Sequence, residues 1–162
     1  MSIETPFAQA TATVLPDWID YNGHMNVGYY HVVFDIAAEP FFRWLGLTED
    51  YRRTHQVTTF ALESHLNFLR EVKVDEPLRF EARLLDFDHK RIHFYQEMYH
   101  ATEGYLAASY ESVSAHVDFK ARRTAPMAAP LQARLAEIKA AHDVLERPWM
   151  VGHVISAHPP AR

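Results

Sequence analysis

One long apolar helix followed by a run of strands constrains the fold of this chain more than any other feature of its sequence. From Val27 onward, large apolar side chains recur three or four residues apart, which is the spacing of one helix face. The stripe consists of Val27, Tyr30, Phe34, Ala37, Phe41 and Trp44 or Leu45. So many aromatic rings indicate a buried helix rather than a surface helix. Asn26 is a good N-cap residue and Gly46 a natural stop, whereas Pro40 predicts a bend or an early end near residue 39.

After this helix, the apolar pattern changes from helical spacing to alternation, which predicts β-strands. The four alternating segments, which turn-forming residues separate, are 60–69, 78–84, 92–98 and 107–119. A short strand rich in Thr and Val at 10–15 precedes the helix, and an amphipathic helix at about 129–146 follows the strands. The economical arrangement is an antiparallel sheet of about five strands that curls around the helix. We therefore predict an α+β fold.

The strand at 60–69 is predicted to have one apolar face and one partly polar face. The apolar row consists of Phe60, Leu62, Leu66 and Phe68, with Ser64 as its one polar break. This strand is long and apolar enough to invite pairing, and the open edge of a sheet must be paired or covered. We therefore expect a homodimer joined edge to edge, either as such or doubled into a homotetramer.

The composition supports one globular domain and argues against several classes of protein. The chain has 162 residues, 48% of them hydrophobic, and we expect a single domain over residues 1–162 with its core at about 8–120. A net charge of −5 argues against a nucleic-acid partner. The absence of cysteine excludes disulfides and thiolate nucleophiles, and it fits a cytoplasmic location. No apolar run approaches membrane-spanning length and no signal peptide is recognisable, so we expect no membrane association.

The polar segment at 17–26, between the first strand and the helix, is the candidate site of chemistry. It faces the start of the helix, where free amides and the helix dipole stabilise negative charge. Asp20 either activates water or attacks a carbonyl, or it only caps the loop. His24 either holds the loop or touches substrate, and Asn26 is an N-cap that can also orient a ligand. The aromatic residues expected to line a pocket here are Trp18, Tyr21, Tyr29 and Tyr30.

The pattern Asp-x-x-Gly-His-x-Asn at 20–26, followed by an aromatic-rich helix, resembles the hot-dog acyl-CoA thioesterases of the 4-hydroxybenzoyl-CoA thioesterase type. The order of strands and helix is similar to that fold over roughly residues 8–120. The resemblance implies hydrolysis of a small acyl-CoA thioester, with Asp20 as nucleophile or general base. It also implies that a helix-start amide, that of Val27 or Gly28, polarises the thioester carbonyl. We expect no cofactor, because coenzyme A is part of the substrate.

Five short segments are also similar to the betainyl-CoA thioesterases of carnitine breakdown, a subgroup of that family. They are residues 18–25, 63–65, 76–78, 90–93 and 116–118. This likeness implies a small cationic acyl group, which the faces of aromatic rings bind well.

Several charged residues outside the 17–26 segment have both a functional and a structural interpretation. Glu63 would either act across a dimer interface or form an ion pair there. Two basic pairs would either hold the phosphates of coenzyme A or be solvated surface charge, and they are Lys90-Arg91 and Arg122-Arg123. The eleven histidines show no HExxH spacing, so we expect no metal site.

Three alternatives to a thioesterase of this fold stay open on the sequence alone. An acyl-CoA hydro-lyase or isomerase on the same fold would use Asp20 or Glu63 to move a proton. A non-catalytic acyl-binding protein would keep the pocket and release no thiol. A cone-shaped α+β binding domain is the alternative fold, although such domains usually begin with helices and this chain begins with a strand.

Overall fold

The computed structural model describes residues 3–158, and its elements largely follow the predicted order. The strands are β1 (Phe7–Thr13), β2 (Val57–Phe68), β3 (Pro77–Phe87), β4 (Arg91–His100), β5 (Leu106–Asp118) and the two-residue β6 (Arg123–Thr124). The helices are α1 (Val27–Leu45), α2 (Glu49–His55) and α3 (Ala129–His142), and a 3-10 turn covers Pro16–Trp18. The predicted domain of 1–162 extends a few residues past the described range at both ends.

All six strands form one antiparallel sheet in the order β1-β3-β4-β5-β2, with β6 paired to β5. The sheet curls around α1. The ring of Phe34 lies 5.7 Å from that of Phe80, and the ring of Phe41 lies 5.9 Å from that of Phe94, centroid to centroid. The predicted antiparallel sheet around one buried helix is therefore confirmed. Within the described residues β2 pairs only with β5, so the other edge of β2 is open.

The long helix α1 runs without interruption from Val27 to Leu45, so it does not end near residue 39, and the alternative of a bend at Pro40 stays a prediction. Pro40 costs one backbone hydrogen bond and on the order of 3 kcal/mol in a helix interior. The residues that follow it offset this cost, because Phe41, Phe42 and Leu45 are buried in the core and each contributes roughly 1.5–3 kcal/mol. The helix ends at Gly46, which adopts the left-handed conformation with φ +118°.

Strand β2 contains a β-bulge, so the prediction that four of its apolar side chains share one face is wrong. The register with β5 shifts between Ala61 and Glu63, so one extra residue is inserted and the alternation reverses beyond it. Leu66 and Phe68 face α1, whereas Phe60, which pairs with Ala115, points to the outer face of the sheet. Counting along the sequence cannot detect such an insertion.

Several element boundaries differ from the predicted ones by a few residues, and helix α2 and the short strand β6 were not predicted. The first strand covers Phe7–Thr13 rather than 10–15, since the chain leaves the sheet before the 3-10 turn. The C-terminal helix ends at His142 rather than near 146. Helix α2 has no buried residue and therefore no apolar stripe to reveal it.

The segment after α3, in which the sequence has no readable pattern, crosses the outer face of the sheet. Met150 and Val151 are buried there against Tyr95. The backbone N–H of Gly152 donates to Glu111 Oε2 over 2.7 Å. This segment therefore covers part of the sheet face that α1 does not.

Candidate active site

The segment between β1 and α1 folds back on itself as a tight turn. Ile19 and Met25 form an isolated antiparallel bridge, and the Gly23 N–H donates to the carbonyl of Asp20 over 3.0 Å. Gly23 has φ +79°, a conformation that residues with a Cβ rarely adopt. The glycine of the motif is therefore required by the backbone, and it brings Asp20 next to the start of α1.

Two further backbone hydrogen bonds fix this turn, one within the segment itself and one to the chain that follows β2. The Asn26 N–H donates to the carbonyl of Trp18 over 2.8 Å, and the Met25 N–H donates to the carbonyl of Val72 over 2.9 Å. The Met25 side chain is buried in the core. The position of Asp20 is therefore set by both ends of the turn and by the segment that follows β2.

The half-buried Asp20 carboxylate has two polar neighbours within the turn. Its Oδ1 accepts from the backbone N–H of Asn22 over 2.8 Å, and its Oδ2 accepts from Asn26 Nδ2 over 3.3 Å. Asn26 is at the same time the N-cap of α1. One asparagine side chain therefore connects the carboxylate to the positive end of the helix.

The two helix-start amides expected to polarise a carbonyl differ in their availability. The Gly28 N–H already donates to Asn26 Oδ1 over 3.0 Å. The Val27 N–H has no acceptor within residues 3–158, and Val27 is 59% exposed. The Val27 amide is therefore the better candidate donor to a developing oxyanion, because an N–H already bound to a cap must first lose that partner.

A cavity of about 280 Å³ opens beside this helix start. We call it the helix-start cavity. It is lined by His24, Met25, Val27, Tyr30, Phe68, Leu69, Arg70 and Glu71. The turn at 17–26, the first turn of α1 and the end of β2 each contribute to its wall. His24 Nδ1 donates to the carbonyl of Met25 over 3.2 Å, so this histidine both holds the turn and lines the cavity.

Of the four aromatic residues expected to line a pocket, Tyr30 alone lies in the wall of the helix-start cavity. Burial is the main cause that raises the pKa of Tyr30 to about 12, so its hydroxyl stays protonated at neutral pH. Trp18 is buried and stacks on Tyr29 with ring centroids 5.9 Å apart, so these two rings pack on each other. Tyr21 is 97% exposed at the tip of the turn. The expectation that these three line the pocket is wrong for this cavity.

Glu63 lies far from Asp20, on the outer face of the sheet. It lines a second cavity of about 330 Å³ with residues of β4, β5 and the C-terminal segment, including His93 and Glu111. His93 Nε2 and Glu111 Oε1 are 2.7 Å apart there. Glu63 therefore has no contact with the 17–26 turn of its own chain.

The four basic residues expected to hold phosphates gather at one end of the sheet, but it is the end opposite to Asp20. Lys90 lies in the turn between β3 and β4 and Arg91 begins β4, where it pairs with Asp88 over 3.2 Å. Arg122 and Arg123 lie next to the end of β5, with the Arg122 guanidinium 4.8 Å from the centre of the Phe60 ring. Phe60 at this end and Phe68 at the helix-start cavity are eight residues apart along β2, which corresponds to roughly 25 Å.

The sequence did not single out the cavity wall that the end of β2 provides. Phe68, Leu69, Arg70 and Glu71 lie more than forty residues from the motif and meet it only in the folded chain. The Leu69 and Arg70 amides both donate to the carbonyl of Ala107, which holds this segment beside β5. No local pattern marks these residues, since the pairing that brings them to the cavity depends on strand register.

Two further observations concern the described part of the chain as a whole. Across residues 3–158, no three His, Asp or Glu side chains converge in the way that a metal ion requires. In the same range, every helix is too short or too polar to cross a membrane.

Comparison with known proteins gives three findings. The family described as the thioesterase-like superfamily matches residues 14–135. The betainyl-CoA thioesterase of Pseudomonas aeruginosa is 37% identical over 149 residues, which are 92% of this chain and 93% of that protein. Two solved structures cover 98% of this chain. A Staphylococcus aureus protein in complex with CoA has a TM-score of 0.85 at 23% identity over 100% of its length. A candidate thioesterase of Pseudomonas putida KT2440 has a TM-score of 0.80 at 29% identity over 99% of its length.

Proposed function

Because the chain belongs to the thioesterase-like superfamily and is an acyl-CoA thioesterase, we propose that its substrate is betainyl-CoA. The observation that carries this proposal is the 37% identity to a betainyl-CoA thioesterase over 93% of that protein. The size of the helix-start cavity supports it. At about 280 Å³ the cavity lies at the lower limit of ligand pockets, which span about 300–1,000 Å³, and a short acyl group fits it better than a fatty chain.

We propose that the thioester carbonyl binds at the first turn of α1. Its oxygen accepts a hydrogen bond from the Val27 amide, where the helix dipole favours the negative charge of the tetrahedral intermediate. The acyl group then enters the helix-start cavity. The Asn26 side chain keeps the Asp20 carboxylate beside this position through its 3.3 Å hydrogen bond.

Asp20 serves in this mechanism either as general base or as nucleophile. As a base it takes a proton from water, the water oxygen bonds to the acyl carbon, and the carbon–sulfur bond breaks as coenzyme A leaves as a thiolate. As a nucleophile Asp20 first forms a mixed anhydride, which water then hydrolyses. The thiolate is a good leaving group and takes up a proton from solvent, so neither route needs a strong general acid.

We also infer that the working enzyme is a homodimer joined through β2. The open edge of β2 exposes Leu62 (57%), and the adjoining face of α1 exposes Ile36 (52%). Ile36 and Ala61 line one cleft between these two elements. A second copy that pairs along β2 would cover this apolar surface and remove the open edge.

Such a dimer would also explain the position of the basic residues. If two β2 strands pair antiparallel about a two-fold axis, the end of one sheet that carries the basic residues lies beside the catalytic end of the other. Coenzyme A bound at one helix start would then extend its phosphates toward the basic end of the partner.

The test of the substrate is a thiol-release assay across a series of acyl-CoA esters, with betainyl-CoA, acetyl-CoA, butyryl-CoA, benzoyl-CoA and palmitoyl-CoA. We expect the highest kcat/KM for betainyl-CoA. A higher value for palmitoyl-CoA would overturn the proposal of a short acyl group, and a higher value for a neutral short ester would overturn betainyl-CoA. Light scattering at micromolar protein tests the dimer, and a mass of one chain would contradict it.

A further inference from the structure

We propose that Glu71, together with the rings of Tyr30 and Phe68, forms the subsite that selects a quaternary ammonium group on the acyl chain. This inference rests on the proposed function, because it concerns the acyl end of the same substrate. All three residues line the helix-start cavity. Tyr30 is one of the four aromatic residues that the sequence suggested, whereas Phe68 and Glu71 are not, and Trp18 and Tyr29 pack on each other.

The chemistry of a quaternary ammonium decides which groups can recognise it. Such a cation has no N–H and cannot donate a hydrogen bond, so a protein binds it with ring faces and with negative charge at short range. The rings of Tyr30 and Phe68 meet edge to face with centroids 5.2 Å apart, and Phe68 is half exposed to the cavity. Glu71 adds the one carboxylate of the cavity wall.

Backbone hydrogen bonds hold the Glu71 segment beside the catalytic turn. The Tyr105 hydroxyl donates to the carbonyl of Glu71 over 3.1 Å. The next residue, Val72, is fully buried and accepts from the Met25 N–H over 2.9 Å. Residue 71 is therefore next to a residue that bonds directly to the motif, although it lies more than forty residues from the motif in the sequence. The negative charge of Glu71 is also one of the causes, after burial, that raise the pKa of Tyr30.

The two cations near this subsite do not block it. The Arg70 guanidinium lies 3.8 Å above the ring of Tyr105, which binds its charge, and its 3.9 Å ion pair with Glu103 is more than half exposed and therefore weak. Lys73 lies 3.5 Å from Glu71, but both side chains of this pair are more than half exposed. Solvent-exposed pairs of this kind are weak, so a bound cation can compete with Lys73 for the carboxylate.

The experiment compares kcat/KM for betainyl-CoA with that for 3,3-dimethylbutyryl-CoA, a neutral ester of the same shape. Glu71→Gln should lower the ratio of the two values by about three- to tenfold. Phe68→Leu should also lower it, whereas Lys73→Gln should raise it, because the carboxylate loses its competing cation. The matched control is Glu137→Gln on the exposed side of α3, which changes the net charge equally and should leave the ratio as it is.

The outcomes separate this inference from the proposed function. If wild-type protein hydrolyses both esters and Glu71→Gln leaves their ratio unchanged, the subsite is overturned and the thioesterase stands. An equal fall of the ratio in Glu71→Gln and Glu137→Gln would also overturn it, since it would reflect net charge alone. If the wild type releases thiol from neutral short esters but not from betainyl-CoA, the proposed substrate fails and the subsite fails with it.

Discussion

The two ends of α1 differ in whether their terminal backbone groups have hydrogen-bond partners. At the C-terminal end, Arg134 donates to the carbonyls of Trp44 and Leu45 over 2.6 and 3.1 Å, and the Gly46 and Leu47 amides donate back into the last turn. At the N-terminal end, the Val27 amide has no acceptor within residues 3–158 and opens beside a cavity. We call the C-terminal end the closed end of α1 and the N-terminal end the open end.

This difference shows how one helix serves both stability and chemistry. At the closed end, the last carbonyls of the helix accept hydrogen bonds and lie among aromatic side chains of the core, which stabilises the fold. At the open end, an unbonded backbone N–H and the positive end of the helix dipole are available to a ligand. Substitutions at the closed end should therefore change the free energy of unfolding, whereas substitutions at the open end should change turnover.

The largest effect is expected for Phe41→Ala at the closed end. The Phe41 side chain is fully buried, and its ring lies within 6 Å of those of Phe7, Trp44 and Phe94. Its removal should lower the free energy of unfolding by about 3–5 kcal/mol, as large-to-small changes in a core do. Urea denaturation measures this loss. Phe68→Ala, at a half-exposed position of β2 beside the open end, should cost less than half as much, and equal losses would contradict the distinction.

Asp20→Asn should have the next largest effect, on turnover. The substitution keeps the size of the side chain and its ability to accept from the Asn22 amide, but it removes the base or nucleophile. We expect kcat to fall by about 10²-fold or more, with the melting temperature little changed. Asp17→Asn, the same change at an exposed position three residues earlier, should retain activity. Near wild-type turnover of a folded Asp20→Asn would make Asp20 structural.

Asn26 should affect both properties, and two substitutions separate them. Asn26→Ala removes the cap on the Gly28 amide, which should cost about 0.5–2 kcal/mol of stability, and also the hydrogen bond to Asp20. Asn26→Ser restores a capping oxygen but not the amide donor. We therefore expect Asn26→Ser to recover the stability measured by denaturation while kcat stays low. If Asn26→Ser recovers both stability and kcat, Asn26 acts only as an N-cap.

The smallest effect is a pH dependence at the closed end. His142 stacks on Trp44 with centroids 5.7 Å apart, and its Nδ1 accepts from the Leu84 N–H over 2.9 Å, so the folded state holds the neutral ring. Burial is the main cause that lowers the pKa of His142 in the folded protein. As pH falls below about 6.5, the unfolded chain takes up a proton that the folded chain does not, and stability falls.

Denaturation at pH 7 and pH 5 measures this loss, which can be no more than about 1.4 kcal/mol per pH unit for one histidine. Burial also lowers the pKa of His116, so His142→Gln should remove part of the pH dependence rather than all of it. An unchanged slope in His142→Gln would show that His142 is not a source of the effect.

Local patterns determined much of this protein from the sequence alone. The spacing of Tyr30, Phe34 and Phe41 predicted the buried helix, and alternation predicted the strands, because both depend on the geometry of neighbouring residues. The motif at 20–26 indicated the turn, the N-cap and the carboxylate for the same reason. Each of these features lies within a few residues along the chain.

The tertiary structure decided what depends on residues far apart in sequence. The bulge after Ala61 changed the face of the sheet to which the following side chains of β2 point. Burial of the residues after Pro40 kept α1 helical beyond that proline. The pairing of β2 with β5 brought Phe68 and Glu71 to the motif, and the cap bond from Gly28 left the Val27 amide as the open one. Register, burial and the partner of each amide are set by contacts across the fold, and a one-dimensional pattern carries no record of them.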